Sequence, residues 1–328
     1  MQDAEPLPPP QPSLTTQTYR LPRELLRPAY QEISRETLQA VDPDLGDVDD
    51  IEIEYLRDAF EDIGPALYRT LASVVADPPK ESLPKELVIS VTDQGDFPAP
   101  THLLAVYGSP SPAASSSSKD VAAETPRQVT LIPVHAVVLT IYCARLPPLI
   151  PTPASQERTP TYKVPVQPLC LPSPTTFPLL SSFLYTKRSS HLLKSLLPTP
   201  PPPTLTSTEG GPSESRTQHL SAFAATLAST YTAQALLRHI HTTHGLWQNA
   251  CVLGVHDDGL WEVLELVWEV LLTAMAISAG TPDLMVKRLT PPPPEQEREQ
   301  EEGEQGDAPD AEQAGSATAS ESGTPAPT

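Results

Sequence analysis

The chain is 328 residues long; 42 of them are proline, and only 5% are aromatic. Because proline-rich stretches pack poorly and large side chains are few, this composition favours one core of moderate size over two full domains. The formal net charge of -20 comes mainly from residues 42–62 and 295–328, and no basic patch is present to neutralise phosphates. Direct nucleic-acid binding and attachment to an anionic membrane surface are therefore excluded.

The three cysteines are Cys143, Cys170 and Cys251, which lie far apart and form no Cys-x-x-Cys pair. An odd number of scattered thiols is typical of reduced, intracellular proteins. The N-terminus shows no basic-then-apolar signal peptide, and no run reaches the ~20 apolar residues of a membrane helix. These features predict an intracellular protein of the nucleus, the cytoplasm or both, with no membrane partner.

Residues 1–20 are rich in proline, glutamine and threonine, which is typical of disorder. Residues 21–82 are predicted to form a helical, acidic, amphipathic segment, with a short helix over 21–38 and a longer one over 47–76. Asp49 or Asp50 is expected to cap the longer helix, and Pro65 to kink it or start a new one. Its apolar residues recur at steps of three and four and so share one face: Ile53, Leu56, Phe60, Ile63, Leu67, Leu71 and Val74.

Two interpretations of this apolar face stay open. In the first, the helix simply packs against the core of the protein. In the second, Phe60, Ile63 and Leu67 form a partner-binding surface on an acidic amphipathic helix, as in helix-in-groove recognition.

Residues 83–198 alternate between strand and helix patterns, which predicts an α+β core. A Ser/Ala/Pro-rich stretch at 109–127 reads as a flexible insertion on the surface. The first two strands are expected to pair as a hairpin, and prolines make the last segment an edge strand or an extended segment outside a sheet. The predicted elements are strands over 86–91, 103–107 and 129–134, a helix over 135–144, a strand over 164–171, a helix from Ser173 or Thr175 to 184, and a helix over 191–197.

Residues 199–216 read as a linker, and residues 217–290 as a helical extension. One helix is predicted over 219–241 with Gly245 at its C-cap, followed by a short apolar stretch over 247–255. A second helix is predicted over 260–278, capped by Asp257 or Asp258, with Trp261 and Trp268 in a wide buried stripe. Residues 291–328 form an acidic, low-complexity tail that is expected to be disordered.

No residue set carries a pattern typical of an enzyme. His239, His241 and His244 invite a metal site, but residues two apart on a helix face different ways, and no nearby Cys or paired carboxylate completes it. The acids at 262, 265 and 269 share the face opposite the tryptophans, so they read as a solvated side. Cys143 is interpreted as a buried packing residue. The sequence therefore predicts no catalytic residue, no cofactor and no metal.

The ordered pattern of residues 129–186 resembles the BTB/POZ fold. A strand leads into a helix that carries His135 and Leu139 in a His-x-x-x-Leu spacing. After the next strand, Phe177, Leu180 and Leu184 share one helical face that ends in Tyr185. The resemblance implies a BTB/POZ-like core with these residues in structural roles. It also implies a homodimer as one arrangement.

A wider resemblance, over residues 83–280, is to the clampless protein family of basidiomycete fungi. It depends on segments around His135 and Tyr142, on the block ending in Tyr185, on Trp247 and Asn249, and on the helix with Trp261 and Trp268. The family is implied to act in sexual development, downstream of mating-type homeodomain regulators. It supports clamp-cell formation and the coupled nuclear division of the dikaryon.

These features together predict a non-enzymatic developmental regulator that acts through protein–protein contact. The implied partner is a protein, with a homeodomain or other transcription factor as the leading candidate. The alternative is a substrate adaptor for a cullin ubiquitin ligase, which depends on analogy with the BTB fold alone.

Overall fold

A computed structural model describes residues 21–42, 52–77, 79, 82–93, 97–109, 128–151, 161–206 and 213–281. The segments predicted to be disordered at 1–20 and 291–328 lie outside the described residues. So do the predicted caps Asp49 and Asp50, and all of the predicted insertion except residue 109.

The described part of the chain confirms the α+β class. Its strands form a five-stranded sheet in the order β1-β2-β5-β3-β4. The bounds of these strands are Val74–Ala76 (β1), Glu86–Val91 (β2), His102–Gly108 (β3), Thr130–Val134 (β4) and Thr161–Leu171 (β5). The helices are Arg35–Val41 (α1), Ile53–Ala72 (α2), Ala136–Tyr142 (α3), Phe177–Thr186 (α4), Ser189–Leu196 (α5), Pro203–Thr206 (α6), Ser213–Thr230 (α7), Ala233–Leu253 (α8) and Asp258–Ser278 (α9).

Strand β3 is buried on both faces, which explains its unbroken apolar sequence. Leu103, Leu104, Ala105 and Val106 are each no more than 1% exposed. The strand pairs antiparallel with β4 and parallel with β5. The predicted hairpin between β2 and β3 is therefore wrong, because β5 returns from later in the chain and lies between them.

Strand β5 is an interior strand, so its prediction as a sheet edge is also wrong. Its two prolines fall where neither neighbour needs an N–H donor. Val166 donates its N–H to Lys85 on the β2 side, and alternation along the strand turns the nitrogen of Pro168 to that same side. At Pro168 β2 no longer lies beside β5, because the pairing of the two strands, followed along β5, stops at Pro165 with Glu86. The nitrogen of Pro165 faces β3, whose pairing begins one residue later, at Val166.

The predicted helix over 21–38 is present only at its end, as α1. Pro22 and Pro28 break the helical pattern before it, and Ser34 caps α1 by accepting the Thr37 N–H at 3.3 Å. Helix α2 continues through Pro65, so no new helix starts there. It ends at Ala72, and Val74 belongs to β1 rather than to the helix face.

The C-terminal helices differ from the prediction in three places. The predicted linker contains α6 and the start of α7. The predicted helix over 219–241 is two helices, because Thr232 caps α8 through its side chain. Gly245 is interior to α8, and the C-cap is Gly254 with φ 63°. The predicted cap Asp257 is confirmed, since its Oδ1 accepts the Leu260 N–H at 2.9 Å.

One hydrophobic core joins the described residues of the predicted segments 21–82, 83–198 and 217–290. It includes Leu67 of α2, Leu139 of α3, Phe177 of α4 and Trp268 of α9. A second, smaller cluster lies on the other face of the sheet around Ile89, Leu103 and Val164.

Candidate interaction surface

His135 and Tyr185 form a buried hydrogen-bonded pair at the start of α3. The His135 N–H donates to Tyr185 Oη at 2.7 Å, and His135 Nδ1 lies 3.2 Å from the same oxygen. His135 Nε2 lies 3.1 Å from the Pro98 carbonyl, which can only accept, so the ring proton is on Nε2. Burial lowers the pKa of His135 to about 4. The ring is therefore neutral near pH 7 and serves as a structural link between α3 and α4.

The other BTB-like motif residues are core residues. Leu139, Phe177, Leu180 and Leu184 are each no more than 1% exposed. They face inward from α3 and α4, where they pack in the main core. None of them is accessible to a partner.

Asn249 holds α8 against the turn that precedes α4. Its Nδ2 donates to the Ser173 carbonyl at 2.7 Å and to Thr176 Oγ1 at 3.0 Å, and its Oδ1 accepts the Ser173 N–H at 3.0 Å. Gly245 allows this close approach, since a Cβ there would lie 2.5 Å from Ser173 Oγ. Ser173, one of the two predicted caps, is the N-cap residue of a single 3₁₀ turn over Pro174–Thr176 that leads directly into α4, and Thr175 lies inside that turn. Both the turn and α4 start without a side-chain capping bond.

The three tryptophans occupy different environments. Trp261 is 1% exposed and donates its indole N–H to the Val255 carbonyl at 3.1 Å. Trp268 is equally buried, and its indole N–H has no hydrogen-bond partner. Trp247 is only half-buried and donates to the Leu26 carbonyl at 3.0 Å, which fixes the N-terminal segment to α8.

Lys187 and Asp257 form a largely buried ion pair that the sequence interpretation missed. Lys187 is the C-cap residue of α4 and has a left-handed backbone conformation, with φ 52°. Its Nζ forms an ion pair with Asp257 Oδ2 and lies 3.2 Å from the centroid of the Tyr142 ring. Burial lowers the pKa of Lys187, while Asp257 opposes that shift. The pair joins the ends of α3 and α4 to the start of α9. Its one sequence signal is a lysine directly after the apolar run of α4.

Cys143, His239 and the acids of α9 lie on different parts of the fold, at the end of α3, on α8 and on α9. Burial raises the pKa of the Cys143 thiol to about 12, so it stays protonated. Glu262 and Glu265 are exposed on α9. His239 Nδ1 donates to the Leu196 carbonyl at 2.8 Å within the fold. In the described ranges, no group of three or more His, Cys, Asp or Glu side chains could hold a metal ion.

The predicted partner-binding residues of α2 do not share one accessible face. Leu67 is 1% exposed and Phe60 is half-buried, so both belong to the core side of the helix. Ile63 is 40% exposed, and Tyr55 on the same side is 65% exposed. The accessible face of α2 is therefore displaced from the predicted one. It carries Tyr55, Ala59 and Ile63, and we call these three residues the α2 outer stripe.

Carboxylates lie beside the α2 outer stripe. Glu54, Asp58, Glu61 and Asp62 are all exposed. Arg57 is turned inward: its Nε donates to the Ile141 carbonyl at 3.0 Å, and its Nη1 lies 3.3 Å from Glu54. An acidic surface with two large exposed apolar side chains can make contacts with another protein. No described helix is long and apolar enough to cross a membrane.

Comparison with known proteins gives a family for this chain. Residues 28–172 match the model of the Clampless protein 1 N-terminal domain, and residues 190–303 match that of the Clampless protein 1 C-terminal domain. Together the two matches cover most of the chain, which belongs to the clampless protein family.

Two similar proteins, both named Clampless protein 1, come from two strains of Cryptococcus neoformans var. neoformans serotype D. Each is 30% identical to this chain over 145 residues. The alignment covers 43% of this chain and 27% of each relative, so the chain spans about a quarter of the length of the relatives it matches. No solved structure matches the chain.

Proposed function

We propose that this protein is a non-enzymatic regulator of clamp-cell formation and of dikaryon maintenance in a basidiomycete fungus. The observation that carries the proposal is the match of both clampless domain models along one chain. The mode of action that we propose is protein–protein contact inside the cell, in the nucleus, the cytoplasm or both. The partner class that we propose is a transcription factor of the mating programme.

The environment of the polar residues supports a non-catalytic role. General acid–base and nucleophilic catalysis need an accessible group beside a cleft. His135 is 2% exposed and fully engaged with Tyr185 and Pro98, and Cys143 is 3% exposed. The ion pair of Lys187 with Asp257 is enclosed between α3, α4 and α9, where it stabilises packing.

We also propose that the centre of the chain is BTB/POZ-like. The chain order supports this: strand β4, helix α3 directly after His135, strand β5, and α4 with Phe177 at its start. This likeness is the basis of the second candidate function, a substrate adaptor for a cullin ubiquitin ligase. The adaptor function predicts that a cullin co-purifies with the full chain in stoichiometric amount.

The developmental role is tested by gene deletion in the source fungus. We expect the deletion strain to mate but to fail in forming clamp cells and a stable dikaryon, and the wild-type gene to restore both. Normal clamps and dikaryons in the deletion strain would contradict the proposal.

The mode of action is tested separately, with a tagged full-length chain recovered from mating mycelium and analysed by mass spectrometry. Recovery of a transcription factor without a cullin supports the regulator. Stoichiometric recovery of a cullin moves the protein to the adaptor class.

A further inference from the structure

Helix α2 carries a second apolar stripe besides the one that joins the core. Leu56, Leu67 and Leu71 face inward and are no more than 9% exposed. Tyr55, Ala59 and Ile63 are four residues apart, so each is turned about 40° from the one before, from the solvent side at Tyr55 to the edge of the core face at Ile63. The rise of 1.5 Å per residue makes this α2 outer stripe about 12 Å long. Tyr55 is 65% exposed and Ile63 is 40% exposed, so the described part of the chain does not cover the stripe.

Among the described residues of α2, the charged side chains nearest this stripe are acidic. At 100° per residue, Asp62 lies about 20° and Asp58 about 60° around the helix from Tyr55, and Glu61 lies farther round on the same side. All three acids are exposed. The nearer arginine, Arg57, is directed to the Ile141 carbonyl and away from solvent. Arg69 is exposed on α2 about two turns beyond Asp62, at the far end of the face.

We propose that the α2 outer stripe and its acids form a docking surface for an amphipathic helix of a partner protein that carries a basic flank. This inference deepens the proposed protein-contact function and depends on it. A row of side chains four apart forms a ridge, inclined to the helix axis, that packs into a groove of another helix. The acids then set its orientation, because lysine or arginine beside the partner's apolar row faces Asp58 and Asp62.

The same charges argue against a second copy of this chain as the occupant. A two-fold dimer brings the same patch of each copy together. Such a contact through the α2 outer stripe would place the acids of one copy against those of the other. Like charges at close range repel, most strongly where water is excluded. A basic helix meets the same surface with attraction.

The test uses the full chain and a defined probe. The probe is a fluorescein-labelled helical peptide of about 20 residues, made of leucine, alanine and lysine with its lysines along one flank. A second peptide has glutamate in place of every lysine. Binding is measured by fluorescence anisotropy at increasing salt. We expect the lysine peptide to bind, the glutamate peptide not to bind, and the affinity to fall with salt as surface charges are screened.

Variants separate this surface from the general negative charge of the chain. The double variant Tyr55→Ser/Ile63→Ser keeps every charge, and we expect it to weaken binding about tenfold or more. The double variant Asp58→Asn/Asp62→Asn should weaken binding and reduce the salt dependence.

The matched control is Glu262→Gln/Glu265→Gln, which removes the same charge from the exposed side of α9. It should bind like the wild type. Equal binding by Tyr55→Ser/Ile63→Ser and wild type would overturn the proposal, and so would equal losses from the two charge variants.

Sedimentation equilibrium of the full chain addresses the second-copy occupant. A dimer that Tyr55→Ser/Ile63→Ser converts to a monomer would assign the surface to a second copy and overturn the proposal.

The proposed function fails on a different result, namely normal clamp cells in the deletion strain. The peptide could bind the wild type and not Tyr55→Ser/Ile63→Ser while the deletion strain forms normal clamp cells. That combination would support the docking surface and contradict only the developmental role.

Discussion

Gly64 provides the sharpest test of how α2 is seated in the core. A Cβ at this position would lie 2.1 Å from the Tyr185 carbonyl oxygen, at the end of α4. Side-chain carbon atoms do not approach an oxygen so closely, and the atom in the way belongs to the backbone. The change Gly64→Ala therefore forces α2 and α4 apart. Those two helices bring Leu67 and Tyr185 into the same core.

The expected cost follows from three effects, of which one opposes the other two. Overpacking a well-packed contact costs about 1–3 kcal/mol, and a backbone obstacle places this site at the upper end. Alanine in place of glycine within a helix returns up to about 1 kcal/mol. Gly64 also precedes Pro65, and a Cβ before proline disfavours the helical conformation. We expect a net loss of about 2–4 kcal/mol in the free energy of unfolding, or about 5–15 °C in Tm.

Differential scanning calorimetry and urea unfolding of the full chain measure this loss. The double variant Gly64→Ala/Pro65→Ala removes the proline effect and keeps the contact with Tyr185, so it should still be destabilised. The matched control is Gly259→Ala in α9, where the nearest atom to a new Cβ is Asp257 Oδ1, 3.5 Å away. It should be within about 0.5 kcal/mol of the wild type or slightly more stable. A Gly64→Ala protein as stable as the control would refute the contact.

Three further predictions concern the buried polar and aromatic residues. Trp268→Ala should lower the free energy of unfolding by about 3–5 kcal/mol, because it leaves a cavity. Trp268→Phe should lower it by about 1 kcal/mol or less, because it also removes an unpaired buried N–H. Urea unfolding measures both. Asn249→Ala should cost about 2–4 kcal/mol, since it leaves buried groups at the turn before α4 without partners, and the exposed Val252→Ala on the same helix is its near-neutral control. The pKa of His135 falls to about 4 on folding, so as the pH drops the unfolded chain takes up the proton first. The free energy of unfolding should therefore be highest above about pH 6.5 and decline by about 3 kcal/mol toward pH 4. His135→Gln should lose that part of the pH dependence.

Local patterns predicted the parts of the fold that depend on neighbours in sequence. The strand that ends just before His135 and the helix that follows it lie close to their predicted positions. Asp257 caps α9 as predicted, since the capping bond joins residues three apart. Trp261 and Trp268 are core residues because their spacing places both on the wide apolar face of α9.

The predictions that failed concern residues whose structure depends on contacts with segments distant in the sequence. Proline in β5 signals an edge strand only if a neighbour needs its N–H, and the offset of β2 and β3 along β5 removes that need. The sequence pattern predicts Gly245 as a helix C-cap, whereas in the structure it lies inside α8 and gives room for Ser173 from another segment. For α2, the pattern identified an apolar face correctly but could not show that it is the inner one. The outer stripe was missed because it holds only Tyr55, Ala59 and Ile63.

The attachment of the N-terminal segment has a consequence for biosynthesis. Arg27 forms an ion pair with Asp258 at 2.6 Å, and Leu26 accepts the indole N–H of Trp247, a residue 221 positions later. The ribosome therefore releases this segment long before its binding site exists. Chains arrested before α8 carry Leu25 and Ile33, both buried in the finished core, without those anchors. Such chains present apolar surface for chaperones and proteases to recognise, so the attachment of this segment reports that α8 and α9 have been completed.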